Sequence, residues 1–267
     1  MFWVNGTLAT DISLADRSFQ YGDGCFTTIL TKYGEPQDWQ LHLERMQACL
    51  LLLQIDIPNW SQIEAWVKKA AVQEPLAGIK LHISRGDGGR GYSPIGADNA
   101  VVTINSFSYP THYSTWQEKG VSLGACQLKL GISPMLAGHK HNNRLEQVLL
   151  KLEAEQQGYQ DALVFDIEDR LIETTMANLF WVKDAIIYTP DLSLCGVAGV
   201  GRRKVIQQAE KLNLVVKIGQ FDIKHIQAAD EVFVTNALIG VAPVTQIGNV
   251  HFEIGNITRR FQEKLSS

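Results

Sequence analysis

The stretch CFTTILTKYGEPQDWQLHLERMQACLLLL, from Cys25 to Leu53, contains the change of pattern that decides the fold class. Its first part, Cys25 to Thr31, predicts a strand that ends in a turn near Gly34-Glu35. From Trp39 apolar residues recur at helical spacing until Pro58 stops the pattern. A strand, a turn and a helix in direct succession predict a protein of the α/β (α+β) class with mixed sheets.

The residues on either side continue this succession of strands and helices. Asn5-Gly6, directly after the apolar run Phe2 to Val4, is a strong hairpin signal. A second helix is predicted from Ser61 to Val72, with Ser61 as the N-cap and Glu64 completing a capping box. Two further strands flank a glycine-rich connection, at Gly78–Ser84 and Ala100–Phe107.

Residues 109–114 separate two regions that each contain strands and helices. The run Tyr109-Pro110-Thr111-His112-Tyr113 has no period, so we predict an interdomain linker there. Beyond it, strands are predicted at Val121–Leu128, Ala162–Phe165, Asn178–Val182, Ala185–Tyr188 and Glu231–Thr235, and helices at Asn143–Gln157 and Arg202–Leu212. The predicted organisation is an N-terminal α/β domain at 1–108, the linker at 109–114, and a C-terminal α/β domain at 115–267.

Length and composition restrict the class of partner. The chain has 267 residues, of which 45% are hydrophobic, so it can bury a core of one large or two modest domains. A net charge of −4 provides no basic surface field for a polyphosphate backbone. The composition therefore argues against nucleic acid and favours a small-molecule ligand.

Cysteine usage and the N-terminus indicate the compartment. The four cysteines are widely spaced, with neither a CxxC pair nor zinc-type spacing, which predicts buried, reduced thiols and no metal site: Cys25, Cys49, Cys126 and Cys195. The N-terminus lacks the basic and apolar regions of a secretory signal. The longest apolar run, Cys49 to Leu53, is far too short to span a membrane. We expect a cytoplasmic enzyme that does not associate with membranes.

The segment Gly86-Asp87-Gly88-Gly89-Arg90-Gly91 matches the GxGxxG pattern of dinucleotide-binding turns. Such a turn must lead into a helix whose N-terminus receives the pyrophosphate. Here Tyr92-Ser93-Pro94-Ile95-Gly96 follows, and proline with glycine breaks helices. We therefore interpret the segment as a flexible loop that presents Arg90 and Tyr92. A surface loop with incidental charge is the alternative.

A second glycine-rich segment, Gly196-Val197-Ala198-Gly199-Val200-Gly201, precedes the predicted helix at Arg202–Leu212. Glycines allow backbone N–H groups to approach an anion, and a helix N-terminus adds favourable partial charge. The pattern indicates a phosphate site, although it is not a Walker A loop because no Gly-Lys-Ser/Thr follows. A plain glycine-rich turn is the alternative.

Lys140 lies in Leu136-Ala137-Gly138-His139-Lys140-His141-Asn142-Asn143-Arg144, directly before a predicted helix. A lysine used in Schiff-base chemistry must be neutral for part of the cycle, and neighbouring cations with partial burial lower its pKa. We expect His139, His141 and Arg144 to supply those cations. An ordinary solvated lysine is the alternative.

Glu173 follows a predicted hairpin that begins at Asp166. Its apolar neighbours predict burial, and a buried carboxylate needs a cationic or hydrogen-bonding partner. A pyridinium nitrogen meets this need, and a structural salt bridge is the alternative.

Taken in chain order, these motifs resemble the fold-type IV pyridoxal-phosphate enzymes, which include branched-chain aminotransferases, D-amino-acid aminotransferases and aminodeoxychorismate lyases. The resemblance spans nearly the whole chain and depends on the ordered set, since each motif alone is weak. The matching pieces are Asp16–Thr28 (DRSFQYGDGCFTT), His42–Met46 (HLERM), Lys140, Glu173–Phe180, Gly199–Gly201 and Glu231–Ala237 (EVFVTNA).

The resemblance implies that pyridoxal 5'-phosphate is the cofactor and that Lys140 carries it as a Schiff base. It implies that Glu173 keeps the pyridine nitrogen protonated, so that the ring acts as an electron sink. The phosphate would be bound by Arg45, by the backbone N–H groups of Val200 and Gly201, and by the turn at Asn236-Ala237.

Within the family, three stretches look more like the lyases than the aminotransferases: Ser84–Ser93, Gly24–Thr28 and Lys140–Gln147. Branched-chain aminotransferases usually have a glutamate-glycine pair at Thr27-Thr28 and a tyrosine at Leu145. The resemblance therefore implies a lyase that converts 4-amino-4-deoxychorismate to 4-aminobenzoate and pyruvate in folate biosynthesis. It also implies a homodimer.

On this expectation Lys140 removes the proton from C4 of the substrate and Thr28 binds the substrate or assists the proton transfer. Arg90 and Tyr92 are the candidates for binding a substrate carboxylate. Two alternatives are a fold-type IV aminotransferase acting on D- or branched-chain amino acids and a catalytically silent protein that retains the cofactor pocket.

Overall fold

The computed structural model describes residues 1–265 as two compact units. Unit 1 contains Met1–Tyr109 together with the short segment His139–Asn143. Unit 2 contains Pro110–Gly138 and the chain from Arg144 onward. The α/β (α+β) class predicted from the sequence is confirmed, since each unit combines helices with a curved sheet.

Unit 1 is built on a six-stranded antiparallel sheet in the order β2-β1-β6-β5-β3-β4. Its elements are β1 (Phe2–Val4), β2 (Thr7–Leu8), α1 (Arg17–Tyr21), β3 (Gly24–Lys32), β4 (Glu35–Pro36), α2 (Trp39–Leu53), α3 (Trp60–Ala70), β5 (Ala77–Ser84) and β6 (Val101–Ser108). The hairpin predicted at Asn5-Gly6 is present, with both residues at positive φ as a two-residue turn requires. Alternate residues of β3, β5 and β6 enter an apolar core with α2 and α3.

Unit 2 contains a nine-stranded mixed sheet in the order β12-β11-β10-β13-β14-β7-β8-β9, with β15 paired to β14. Its strands are β7 (Val121–Leu130), β8 (Ala162–Asp166), β9 (Leu171–Thr174), β10 (Asn178–Lys183), β11 (Ile186–Pro190), β12 (Val216–Gly219), β13 (Glu231–Asn236), β14 (Gly240–Ile247) and β15 (Val250–His251). Its helices are α4 (His112–Lys119), α5 (Leu145–Gln156), α6 (Val200–Lys211), α7 (Ile223–Gln227) and α8 (Asn256–Leu265).

The units differ from the predicted domains in two respects. The predicted linker at 109–114 is partly helical, because α4 begins at His112 and buries Tyr113 and Trp116, three residues apart on one side. The sequence placed Lys140 in the C-terminal domain, whereas the structure groups it with unit 1, where its segment pairs with β3.

The start of α3 also differs from the prediction. Asn59, and not Ser61, is the N-cap, because its side-chain oxygen accepts a hydrogen bond from the backbone N–H of Gln62. Asparagine is as good an N-cap as serine, so the two sites differ by local geometry that sequence preference does not resolve.

Candidate active site

Lys140 lies in a short segment that pairs with the beginning of β3. The backbone N–H of Phe26 donates to the Lys140 carbonyl at 3.0 Å, and the N–H of Asn142 donates to the Gly24 carbonyl at 2.9 Å. His141 is paired with Cys25 as an antiparallel bridge. Because side chains alternate along a strand, Lys140 shares a face with Phe26. Its Nζ lies 4.5 Å from the centroid of the Phe26 ring.

The same face of the sheet carries Thr28 and two basic residues of β5. Phe26 is opposite His82 and Thr28 is opposite Lys80 in the antiparallel register. These residues are half-buried, whereas Cys25 and the other alternate residues of β3 are buried in the core. We call the half-buried set Phe26, Thr28, Lys80, His82 and Lys140 the lysine face.

Two ammonium groups approach one aromatic ring on the lysine face. The Nζ of Lys80 lies 4.7 Å from the centroid of Phe26, the ring that Lys140 also approaches. Burial lowers the pKa of Lys80. Burial, together with the charges of Lys80 and Lys140, lowers the pKa of His82 to about 4. At neutral pH His82 is therefore an uncharged imidazole on the same face as Lys80 and Lys140.

The structure identifies a cation near Lys140 that the sequence analysis did not predict. Burial lowers the pKa of His139, so that imidazole is neutral at pH 7 and supplies no charge. Lys80 supplies a positive charge instead, from a strand about sixty residues earlier in the chain. Strand alternation in Gly78–Ser84 could have predicted this position, because it puts Lys80 and His82 on one face of β5 and the apolar residues on the other.

Arg45 projects from α2 toward β3. Its Nη2 donates to Thr27 Oγ1, and the same hydroxyl lies 2.6 Å from Nδ1 of the buried His42. Thr27 and His42 are therefore neighbours that restrict the Arg45 side chain. Both residues lie in stretches that carry the family resemblance, but the sequence analysis gave neither of them a role.

Glu173 lies on β9 in unit 2 and is 6% exposed. Its Oε2 accepts a hydrogen bond from the backbone N–H of Val197 at 3.0 Å. Next to it in the chain, Thr174 and Thr175 donate through their hydroxyls to the fully buried Asp161, which fixes the end of this strand. The predicted burial of Glu173 agrees with the structure.

The glycine turn, residues 196–201, leads directly into α6. Gly199 is the N-cap and its position has no side-chain hydrogen bond to the first amides of the helix. A Cβ on Gly199 would collide with Asn178 Oδ1, and one on Gly201 would collide with Thr235 Oγ1. Only glycine allows this close approach, and the first N–H groups of a helix, which lack partners within it, suit a phosphate.

The Asn236-Ala237 turn lies beside Gly201, since a Cβ on Gly201 would be 3.3 Å from Cα of Asn236. The side-chain oxygen of Asn236 accepts hydrogen bonds from the N–H groups of Leu238 and Ile239, at 3.0 and 2.8 Å. That oxygen is thus used to shape the turn. The structure therefore brings Val200, Gly201 and Asn236 together within unit 2.

Arg90 and Tyr92 lie on an exposed loop of unit 1, and Tyr92 is 89% exposed. The sequence predicted a flexible loop, but several of its carbonyls are held by the buried side chain of Arg17. Thr28 and Lys140 share the lysine face, whereas Glu173 and the glycine turn belong to unit 2.

Two classes of site and segment are not found in residues 1–265. No group of three or more His, Cys, Asp or Glu side chains is arranged to hold a metal ion. None of the helices in that range combines the length and apolarity needed to cross a bilayer.

Comparison with known proteins places the chain among characterised enzymes. Over its whole length it is 53% identical to aminodeoxychorismate lyase of Vibrio harveyi, with all of both chains aligned. The crystal structure of 4-amino-4-deoxychorismate lyase from Pseudomonas aeruginosa superposes with a TM-score of 0.93 at 32% identity, covering 99% of this chain and 98% of that one. The Escherichia coli branched-chain amino acid aminotransferase shares the fold, with a TM-score of 0.86 at 21% identity and coverage of 98% and 92%.

The family model for class IV aminotransferases matches residues 24–247, a range that includes the Lys140 segment, Glu173 and the glycine turn. With most of the chain matched in this way, the protein belongs to the class IV aminotransferase family.

Proposed function

We propose that the protein is an aminodeoxychorismate lyase that converts 4-amino-4-deoxychorismate to 4-aminobenzoate and pyruvate. The full-length identity of 53% to the Vibrio harveyi lyase carries this proposal. The threonine pair at positions 27 and 28, where branched-chain aminotransferases usually have a glutamate-glycine pair, also supports a lyase.

The residues present fit pyridoxal 5'-phosphate as the cofactor. A phosphate suits the uncapped N-terminus of α6, where Val200 and Gly201 offer N–H groups next to the Asn236-Ala237 turn. By the family resemblance, the guanidinium of Arg45 would add a charge-assisted hydrogen bond to the phosphate. The buried carboxylate of Glu173 suits a protonated ring nitrogen.

Lys140 has two tasks in the proposed reaction. Its Nζ would hold the cofactor covalently until the 4-amino group of the substrate displaces it, and the freed, neutral amine would then remove the proton from C4 of the substrate. When bound, pyridoxal phosphate supplies an electron sink for the negative charge that this proton leaves behind. The ammonium group of Lys80, which approaches the same Phe26 ring, disfavours a second positive charge nearby.

Thr28 projects from the lysine face and offers a hydroxyl that either positions the substrate or passes the proton. Departure of the enolpyruvyl oxygen from C3 makes the six-membered ring aromatic and leaves 4-aminobenzoate. The released enolpyruvate takes up a proton and becomes pyruvate. Arg90 and Tyr92 bind a substrate carboxylate, for which a guanidinium provides two parallel donors.

The experiment that tests the reaction is product analysis with purified protein, cofactor and 4-amino-4-deoxychorismate. We expect equal amounts of pyruvate and 4-aminobenzoate, and we expect Lys140→Ala to abolish both products and the borohydride-sensitive absorbance of the bound cofactor. Lys211→Ala, which changes an exposed lysine on α6, is the control and should retain both.

Two results would contradict the proposal. Transfer of the amino group to a keto acid, without 4-aminobenzoate, would indicate an aminotransferase for D- or branched-chain amino acids. Cofactor binding without turnover of any of these substrates would indicate a silent binding protein.

We also infer that the protein forms a homodimer and acts in the cytoplasm. One side of α5 exposes an apolar stripe at helical spacing: Leu145, Val148, Leu149 and Leu152. An exposed stripe of this kind is typical of a protein–protein contact. The four cysteines are buried and form no disulfide, as expected in a reducing compartment.

A further inference from the structure

Arg17, the first residue of α1, is a buried cation that the proposed reaction does not use. Its side chain is 3% exposed, and its Nε donates to Asp23 Oδ2 at 2.9 Å. A buried guanidinium is costly unless its N–H groups all find acceptors. The remaining acceptors of Arg17 therefore indicate what this residue holds in place.

Those acceptors are carbonyl groups of the glycine-rich loop, residues 86–93. Arg17 Nη1 lies 3.3 Å from the carbonyl oxygen of Gly88 and 3.1 Å from those of Gly91 and Ser93. Arg17 Nη2 donates to the carbonyl of Tyr92 at 3.1 Å. The loop is thus folded around one guanidinium.

The backbone conformation of the loop requires both glycine and this guanidinium. Gly86, Gly88, Gly89 and Gly91 have φ values of 91°, 120°, 70° and 59°, which side chains disfavour. A Cβ on Gly89 would lie 2.8 Å from Arg17 Nη1. Such a backbone turns several carbonyls toward the same point, where the Arg17 guanidinium donates to four of them.

The first residues of the loop are tied to the same helix. The backbone N–H of Arg17 donates to the Gly86 carbonyl at 2.9 Å. The N-cap residue Asp16 accepts a hydrogen bond from the Ser84 hydroxyl at 2.6 Å, and Ser84 Oγ accepts from the Gly86 N–H at 2.8 Å. The loop is therefore fixed at its start and along its length.

The same helix is linked to the segment of Lys140. Asn142 Nδ2 donates to Ser18 Oγ at 2.7 Å, and Asn143 Nδ2 donates to the carbonyl of Gly22 at 3.2 Å. Helix α1 thus contacts the glycine-rich loop through Arg17 and the segment His139–Asn143 through Ser18.

We propose that Arg17 is a positioning residue that holds the glycine-rich loop in the conformation in which Arg90 and Tyr92 bind a substrate carboxylate. This inference rests on the proposed function for the identity of the substrate. The side chains of Arg90 and Tyr92 are exposed. The Tyr92 residue is nevertheless held in place, because its carbonyl accepts a hydrogen bond from Arg17 and its ring contacts the Tyr21 ring edge-on, with centroids 5.6 Å apart. A loop fixed before binding loses less entropy when the substrate binds.

The experiment compares Arg17→Gln with Arg85→Gln. Arg85 is the matched control because it binds the same Asp23 carboxylate, at 2.7 Å, but otherwise donates to the carbonyls of Leu53 and Gln54, outside the loop. Arg85→Gln thus removes a similar ion pair without touching the loop. Burial raises the pKa of Asp23, yet the hydrogen bonds and charges of Arg85 and Arg17 outweigh it and hold that pKa below its ordinary value.

In Arg17→Gln we expect KM for 4-amino-4-deoxychorismate to rise about tenfold or more, with kcat and the cofactor absorbance within about threefold of the wild type. Arg85→Gln should leave KM within about threefold of the wild-type value. Equal KM changes in the two variants, or a loss confined to kcat, would overturn the assignment.

A second measurement does not depend on activity. Trypsin should cleave the Arg90–Gly91 bond about tenfold faster in Arg17→Gln than in the wild type or Arg85→Gln, because cleavage requires the loop to open. Unchanged cleavage would contradict the proposal. If the wild type does not turn over the substrate, the proposed function fails, while the cleavage rates still decide the role of Arg17. If thermal unfolding shows that Arg17→Gln is not folded, Arg17→Lys takes its place, since one ammonium cannot bond four carbonyls. The expected changes in KM and in cleavage rate are then the same.

Discussion

His82 shows how single residues of the lysine face depend on their surroundings. Its ring packs against Phe26, with centroids 5.1 Å apart, and its Nε2 is buried without a hydrogen-bond partner. Burial and the charges of Lys80 and Lys140 all disfavour the protonated imidazole, which lowers its pKa from 6.5 to about 4. His82 is therefore a neutral polar residue next to the proposed catalytic lysine.

This shift makes stability depend on pH in a defined direction. The pKa of His82 in the folded protein is below its unfolded value of 6.5. The stability that the neutral imidazole contributes is therefore complete above pH 6.5 and is lost as the pH falls toward about 4. We expect the free energy of unfolding of the wild type to fall across this range by about 1–3 kcal/mol more than that of His82→Gln. Urea unfolding at several pH values measures the difference.

Lys80→Met is the control for that experiment. Removing the Lys80 charge should raise the pKa of His82. In the Lys80→Met protein, the unfolding free energies with His82 and with His82→Gln should therefore differ less in their pH dependence than they do in the wild type. Parallel profiles for the wild type and His82→Gln would show that His82 is not held neutral by the fold.

Among the helices and strands, local pattern predicts many of those in residues 1–265, but it missed α4, α8 and β14. The alternation in β3 and β5 and the helical spacing in α2 are visible in the sequence because each element must present one apolar side to the core. The N-terminus of α6 is likewise predicted by its glycines. Local pattern does not show why glycine is necessary there. The reason is that a side chain on Gly199 or Gly201 would collide with Asn178 on β10 or Thr235 on β13, respectively.

Gly201→Ala tests the phosphate site at the start of α6. A Cβ at this position would collide with Thr235 Oγ1, so the first turn of the helix must shift and its N–H groups move. We expect cofactor binding to weaken about tenfold or more, as measured by absorbance titration of the apoprotein. Gly131→Ala is the matched control, since a Cβ there meets only the flexible end of Glu146, at 3.2 Å. Equal affinities in the two variants would exclude this turn as the phosphate site.

For the molecule as a whole, the exposed stripe on α5 is the surface that supports the proposed homodimer. Leu150 and Ala154 bury the opposite side of the helix in the core of unit 2, so the stripe cannot also serve that core. Four apolar side chains left in water cost free energy that association recovers. The stripe is the feature of unit 2 that most favours a homodimer.

Leu149→Glu should therefore shift the protein toward monomer, because it places a charge in the middle of the stripe. Sedimentation velocity over a range of concentrations measures the shift. Val215→Glu, which changes an apolar residue that is 57% exposed outside the stripe, should leave the dimer intact. A monomeric wild type, or an unchanged dimer in Leu149→Glu, would contradict the proposed interface.

Features that depend on neighbouring residues or on the order of motifs are predictable without the structure. These are the α/β class, the hairpin at Asn5-Gly6, the glycine turn before α6 and the family resemblance built on Lys140, Glu173 and Arg45. The first three are local, because periodicity, turn chemistry and positive φ depend on a few neighbouring residues, whereas the resemblance depends on the order of motifs along the chain.

Which residues contact one another across long stretches of chain became clear from the three-dimensional structure. It grouped Lys140 with β3 instead of with the C-terminal domain, put Lys80 and His82 on the same face, and closed the glycine-rich loop around Arg17. Arg17 is about seventy residues from the carbonyls that it binds, and Lys80 is sixty residues from Lys140. Contacts at such separations arise from strand register and packing, which no short stretch of sequence specifies.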